Sequence, residues 1–139
     1  MFDIAKYEQK VDKLIANQFN CFYMSNSKWL KIFRALDCSG ITLERISLKK
    51  VTSSTPYITY MPKSEDLEPN WVSEGSNELN YFYKEIEWVE FLACYKPSNI
   101  PTQYVYQSID KVSEIITNIG QFEFINTNNG LKLFGYKKT

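Results

Sequence analysis

The chain has 139 residues, 16% of them aromatic, with only five glycines and five prolines, so it can bury a real core as one domain and is not a disordered segment. Sixteen basic and sixteen acidic residues cancel, leaving no net field to hold a polyanion, and the lack of histidine removes Ser-His-Asp and Cys-His catalysis and histidine-ligated zinc. Cys21, Cys38 and Cys94 are widely spaced and form no CxxC pair, which points to reduced, core or part-buried thiols rather than a disulfide framework or a zinc site.

The opening MFDIAKYEQK mixes acidic and basic side chains and holds no apolar run of signal-peptide length. No span of about twenty apolar residues follows, so a cytoplasmic protein without a membrane partner is expected. Ile4, Tyr7, Val11, Leu14, Ile15 and then Gln18 or Phe19 recur at three- and four-residue steps, which predicts a first helix. Asn26 or Ser27 caps a second, with Trp29 or Leu30, Ile32, Phe33 and Leu36 on its apolar face and Ser39-Gly40 ending it. The two are expected to pack as a helical hairpin.

Residues 41 to 51 turn to an imperfect two-residue period, a bulged or twisted strand. A short strand between Pro56 and Pro62 follows, and the polar stretch 63 to 80 is expected to be a long loop. Residues 81 to 94 alternate as one strand, placing Phe82, Ile86, Trp88 and Leu92 inward and Glu85 and Glu87 outward. After a linker with Pro97 and Pro101 comes a third helix over residues 108 to 119, its stripe formed by Ile109, Val112, Ile115, Ile116 and Ile119, with Gly120 as a left-handed cap. The end of the chain reads as a β-hairpin with Asn129-Gly130 at its turn. The fold class is therefore α+β: a single domain over residues 1 to 139 with a mainly antiparallel sheet. Residues 1 to 24 extend a core of 25 to 139.

Charge is sorted locally. Residues 64 to 90 carry eight carboxylates against Lys84 alone, with large aromatics between them. Such a face suits a basic protein partner, because complementary fields speed encounter and aromatic side chains anchor the contact. The expected partner-binding residues are Glu65, Asp66, Glu68, Trp71, Glu74, Glu78, Tyr83, Glu85, Glu87 and Glu90. Trp71 is either a loop anchor or an exposed contact, whereas Trp88 and Trp29 read as core.

No catalytic, cofactor-binding or metal-binding residues are assigned. The chain has neither GxxxxGK[ST] nor GxGxxG, no cysteine has a local activator, and the acidic spacing matches no EF-hand loop. A carboxylate-only magnesium site or a Glu85/Glu87 or Glu65/Asp66 acid-base pair is the enzymatic alternative. The basic run Lys28, Lys31, Arg34, Arg45, Lys49 and Lys50, with exposed tyrosines as stacking platforms, is the alternative of a single-stranded nucleic-acid-binding module.

The segments SNSKWLKIFRAL (25 to 36), FYKEIEWVEF (82 to 91) and IGQFEFINTNNGLKLFGYKK (119 to 138) together resemble a small bacterial family. Its members open on an Asn-Thr-Lys-Trp helix, contain a Glu-Ile-Glu-Trp strand and close on a Gly-Gln-Phe…Gly-Leu…Gly-Tyr hairpin. Some are similar to the immunity proteins of contact-dependent growth inhibition and other polymorphic toxins. The pattern falls here on Trp29, on Glu85, Ile86, Glu87 and Trp88, on Gly120, Gln121 and Phe122, and on Gly130, Gly135 and Tyr136. Ser27 departs from it, and residues 1 to 24 lie outside it. The resemblance implies no catalytic residue. It implies a toxin inhibitor whose acidic, aromatic-containing face blocks the basic active-site surface of a cognate toxin domain, a nuclease for example, in place of nucleic acid.

Overall fold

Helical stripes and paired strands set the architecture in a computed structural model that describes residues 2–75, 78–97, 99 and 102–139. Helix α1 (Ile4–Gln18) starts where the Asp3 carboxylate accepts the Lys6 amide at 3.1 Å, which satisfies one of the free N–H groups of the first turn. Strand β1 (Cys21–Phe22) precedes α2 (Asn26–Cys38), which is capped by Ser25, one residue before the expected position, through its hydroxyl and the Lys28 amide at 3.2 Å. Next come β2 (Arg45–Lys50), β3 (Tyr57–Tyr60), a single 3-10 turn (Ser64–Asp66), β4 (Trp71–Glu74), β5 (Glu78–Phe82) and a second 3-10 turn (Tyr83–Glu85). Strands β6 (Ile86–Leu92), β7 (Cys94–Tyr95) and β8 (Val105–Tyr106) lead to α3 (Ile109–Ile119), and β9 (Phe124–Asn126), β10 (Gly130–Phe134) and β11 (Tyr136–Lys137) close the chain. Pro101, expected in the linker before α3, lies outside the described residues.

The main sheet is antiparallel, in the order β3-β2-β6-β10-β9. Its register sorts its faces. Ile46, Phe91 and Leu131 lie in one cross-strand row and Leu48, Val89 and Leu133 in the next, all fully buried beneath α2 and α3. Trp29, Ile32, Phe33 and Leu36 of α2 and Val112 and Ile116 of α3 complete this core, with the Trp29 and Phe33 rings stacked at 5.6 Å. Burying each such side chain is worth about 1.5–3 kcal/mol. The rows of opposite parity, Ser47, Glu90 and Lys132 and then Lys49, Trp88 and Phe134, occupy the other face.

The α+β class, the antiparallel sheet and the C-terminal hairpin agree with the expectation. The helical hairpin does not form. β1 stands between the helices and pairs with β11, and α1 buries Val11 in a separate cluster with Phe19 and Val51, beside Tyr136. Residues 63 to 80 are not one loop, since β4 and β5 pair as a hairpin with a bulge between Val72 and Ser73. Gly120 is extended at φ 170° rather than left-handed. At the C-terminal turn Thr127 and Gly130 bond each other across Asn128-Asn129, so the turn sits one residue earlier than expected. Gly130 instead opens β10, where a Cβ would stand 1.9 Å from the Phe91 carbonyl oxygen. Cys38 is exposed, and Cys21 and Cys94 are half-buried.

Candidate functional site

The acidic segment does not form one surface. The Tyr83–Glu85 turn interrupts the alternation expected over residues 81 to 94: Phe82, Ile86 and Leu92 are buried as expected, but Glu85 and Trp88 are not where the alternation puts them. Glu85, expected outside, is only 2% exposed. Its carboxylate accepts the Phe82 amide at 2.7 Å and the Tyr7 hydroxyl of α1. Glu90 is buried in the middle of the open sheet face and accepts the Thr127 hydroxyl at 2.7 Å. Glu87 is tied to Lys49 at 2.9 Å. Tyr83 is fully buried in the main core and donates its hydroxyl to the Glu68 carbonyl at 2.8 Å. These four residues are thus occupied within the fold and do not make a docking face. Trp88, expected in the core, lies half-buried on the open face with the Lys132 ammonium 4.0 Å above its ring.

Of the other six, Glu65 and Asp66 lie on the first 3-10 turn, Glu68 on the link that follows it, and Trp71, Glu74 and Glu78 on the β4–β5 hairpin. Glu65, Glu74 and Glu78 are exposed, whereas Asp66, Glu68 and Trp71 are half-buried. Trp71 sits within β4 opposite Phe82, neither loop anchor nor free contact. Glu74 and Glu78 face one another across the hairpin, a like-charge pair that costs stability where it stands.

Between this hairpin, the end of α2 and strand β3 lies a cleft of about 550 Å³. Four carboxylates line it, Asp37, Glu44, Asp66 and Glu74, against Arg45 and Lys63. None of the four is ion-paired among the described residues. Arg45 is already engaged, its guanidinium 3.7 Å above the Tyr60 ring. Asp37 accepts the Ser64 amide at 2.7 Å, which fixes the turn against α2. The floor is apolar, with Leu43, Met61, Pro62 and Val72.

Tyr81 is part of the same wall. It is 1% exposed, and its hydroxyl has no hydrogen-bond partner among the described residues. Burial first, and then neighbouring charges including Asp66, push its pKa up, so it stays neutral. Among the described residues no three metal-ligating side chains converge. The carboxylates are spread around the rim and suit several cationic groups along a chain better than one ion.

Gln107 anchors this wall. Its side-chain oxygen accepts the Glu44 and Arg45 amides at 2.7 and 2.9 Å, and its nitrogen donates to the Arg45 and Leu92 carbonyls at 2.9 and 2.7 Å. The amide thus stands in at the end of the β2–β6 ladder, whose last backbone pair is Ile46 with Phe91. Asp37, Glu44, Tyr60 and Gln107 carried no signal in the acidic segment, because only the topology brings them to residues 66 to 74. The uncharged run between Pro56 and Pro62 was the one readable hint.

The basic run is divided. Lys28, Lys31 and Arg34 sit on α2, over one face of the sheet, whereas Lys49 is paired with Glu87 and Arg45 lies on Tyr60. No helix among the described residues is long and apolar enough to cross a membrane. No protein-family model, no curated protein and no solved structure matches the chain.

Proposed function

We propose that the protein is a non-catalytic binding module whose cleft receives a basic segment of a partner protein, and that it acts as a cytoplasmic immunity protein, neutralising a cognate toxin domain by occluding its basic surface. The observation that carries the reading is the cleft itself: four carboxylates against two cations, none of the four ion-paired among the described residues, around an apolar floor. Burying a partner's lysine or arginine there exchanges water for preset acceptors, and the apolar floor accommodates the aliphatic stems. The resemblance to toxin-immunity proteins supports the choice of partner class, and a nuclease, whose own site must hold phosphate, fits the sign of the charge. The surface is the rim formed by Asp37, Glu44, Asp66 and Glu74, in place of the Glu85 to Glu90 strand. Charge reversal at Glu85, Glu87 and Glu90 would report on folding rather than binding.

The test co-expresses this chain with the product of the neighbouring gene, which the reading expects to be the toxin, and measures growth rescue and affinity. The wild-type chain is expected to restore growth. Glu44→Lys with Glu74→Lys is expected to weaken binding about thirtyfold at low salt, with a shallower salt dependence, as two lost attractions of about 1 kcal/mol each require. Unchanged affinity and salt dependence in that variant, with its melting temperature intact, would overturn the cleft as the site.

A further inference from the structure

We propose that β3 is a docking edge, to which the partner adds an extended segment of alternating basic and apolar residues as a sixth strand of the sheet. This rests on the reading of the cleft as the site for a basic partner, and it specifies how that partner is held.

β3 ends the sheet, and its outer side has no strand beside it among the described residues. Its sequence, Tyr-Ile-Thr-Tyr, is uncharged, β-branched and aromatic. Edges are blunted by shortness, proline, charge, a bulge or a covering element; β3 is four residues long between Pro56 and Pro62, which limits an added strand to this span, but within it there is no charge and no register shift. The direction of its backbone groups follows from one bond. The Met61 amide donates inward to the Glu44 carbonyl at 2.9 Å, and in an antiparallel ladder bonded residues alternate. Tyr57 and Thr59 therefore pair inward with Leu48 and Ile46, while Ile58 and Tyr60 present their N–H and C=O groups outward. The side chains of the same two residues are 61% and 71% exposed on the open face.

The cleft determines what the added strand must carry. Thr59, Tyr60 and Met61 all line the cleft, with Arg45 opposite Tyr60, so it opens beside the end of this edge. A strand laid along β3 has side chains that alternate in the same way. One set projects over the cleft rim toward Asp37, Glu44, Asp66 and Glu74, where lysine or arginine is favoured. The other set lies beside Ile58 and Tyr60, where apolar side chains are favoured. Backbone pairing supplies affinity and the alternating pockets supply specificity, the division expected of strand addition.

The experiment titrates the ¹⁵N-labelled protein with a capped hexapeptide Lys-Val-Lys-Val-Lys-Val, with its block isomer Lys-Lys-Lys-Val-Val-Val and with the Glu-for-Lys analogue. The alternating basic peptide is expected to slow amide exchange of Ile58 and Tyr60 about tenfold or more at saturation, and to bind more tightly than either control. Ile58→Pro removes an outward donor, at a position where edge strands accept proline, together with one exposed side chain, and is expected to weaken the peptide about tenfold more than Ile58→Ala does while leaving the β2 pairing in place. Shifts around the cleft with Ile58 and Tyr60 exchange unaltered would overturn strand addition and leave the cleft reading standing. No shift with any peptide would overturn both. A dimer of the protein alone that Ile58→Pro dissociates would assign the edge to a second copy and overturn the proposal.

Discussion

Replacing Gln107 by leucine removes four hydrogen bonds from one buried side chain while keeping its bulk. Left without partners are the Glu44 and Arg45 amides and the Arg45 and Leu92 carbonyls, all within 2.9 Å of the native side-chain amide. At about 0.5–1.5 kcal/mol net per bond, with the apolar gain of leucine offsetting part, the loss is about 2–4 kcal/mol. For a domain of this size that lowers the melting temperature by about 6–15 °C, a large share of a total stability of about 5–15 kcal/mol. Thermal unfolding followed by circular dichroism measures it, and hydrogen exchange at the Arg45 amide localises it to the open end of the β2–β6 ladder. Gln107→Glu keeps the accepted bonds but sets a carboxylate against the two carbonyls, and is also expected to be less stable than the parent. A melting temperature lowered by less than about 3 °C in Gln107→Leu would show that water replaces the amide and would refute the assignment of Gln107 as the anchor of the cleft wall.

Alkali should weaken the fold through its buried phenols. Tyr7 and Tyr136 are pushed up to about 12 from the ordinary value near 10, mainly by burial and, for Tyr7, by its bond to Glu85. Their stabilisation is fully present below pH 10, and it is lost as pH rises from 10 through 12, because the unfolded chain releases those protons first. Urea midpoints at pH 9 and 11 should therefore differ, and by less in Tyr7→Phe. A midpoint that does not move over that interval would contradict the burial of these hydroxyls. Gly130→Ala should cost about 2–4 kcal/mol, since the new methyl would meet the Phe91 carbonyl oxygen at 1.9 Å and φ is 157°. A urea midpoint within error of the parent would refute that contact.

Periodicity made the three helices readable, because Val11, the Trp29 to Leu36 stripe and the Val112–Ile116 pair bury against the rest of the chain where a 3.6-residue repeat places them. Bracketing prolines likewise marked β3. What escaped was anything decided by a single break in register. Reading alternation straight through residues 81 to 94 put Glu85 outside, but the Tyr83–Glu85 turn resets the pleat, so Val89 and Phe91 face the helices while Glu85 folds inward to cap that turn. The β4–β5 hairpin was missed for a related reason. Its serines, asparagines and glutamates look like loop, and the contacts that commit it to strands, Val72 and Tyr81 in the core, lie across the fold. The cleft was least legible of all, since Asp37, Glu44, Asp66 and Glu74 belong to four separate elements and loops joined only by the packing of α2, β3 and the hairpin.

The stitch between Tyr7 and Glu85 changes the standing of the N-terminal helix. Residues 1 to 24 look like an appendage to a self-sufficient body, yet the body has sunk an ionisable group into its own interior and depends on that helix to answer it. A truncated chain starting near residue 20 would keep every strand of the main sheet and still carry an acid stranded without one of its two donors, beside the bared rings of Phe82 and Tyr136. The leading segment is thus a lid on a fault line rather than a tail, and shortened versions of this protein are expected to aggregate.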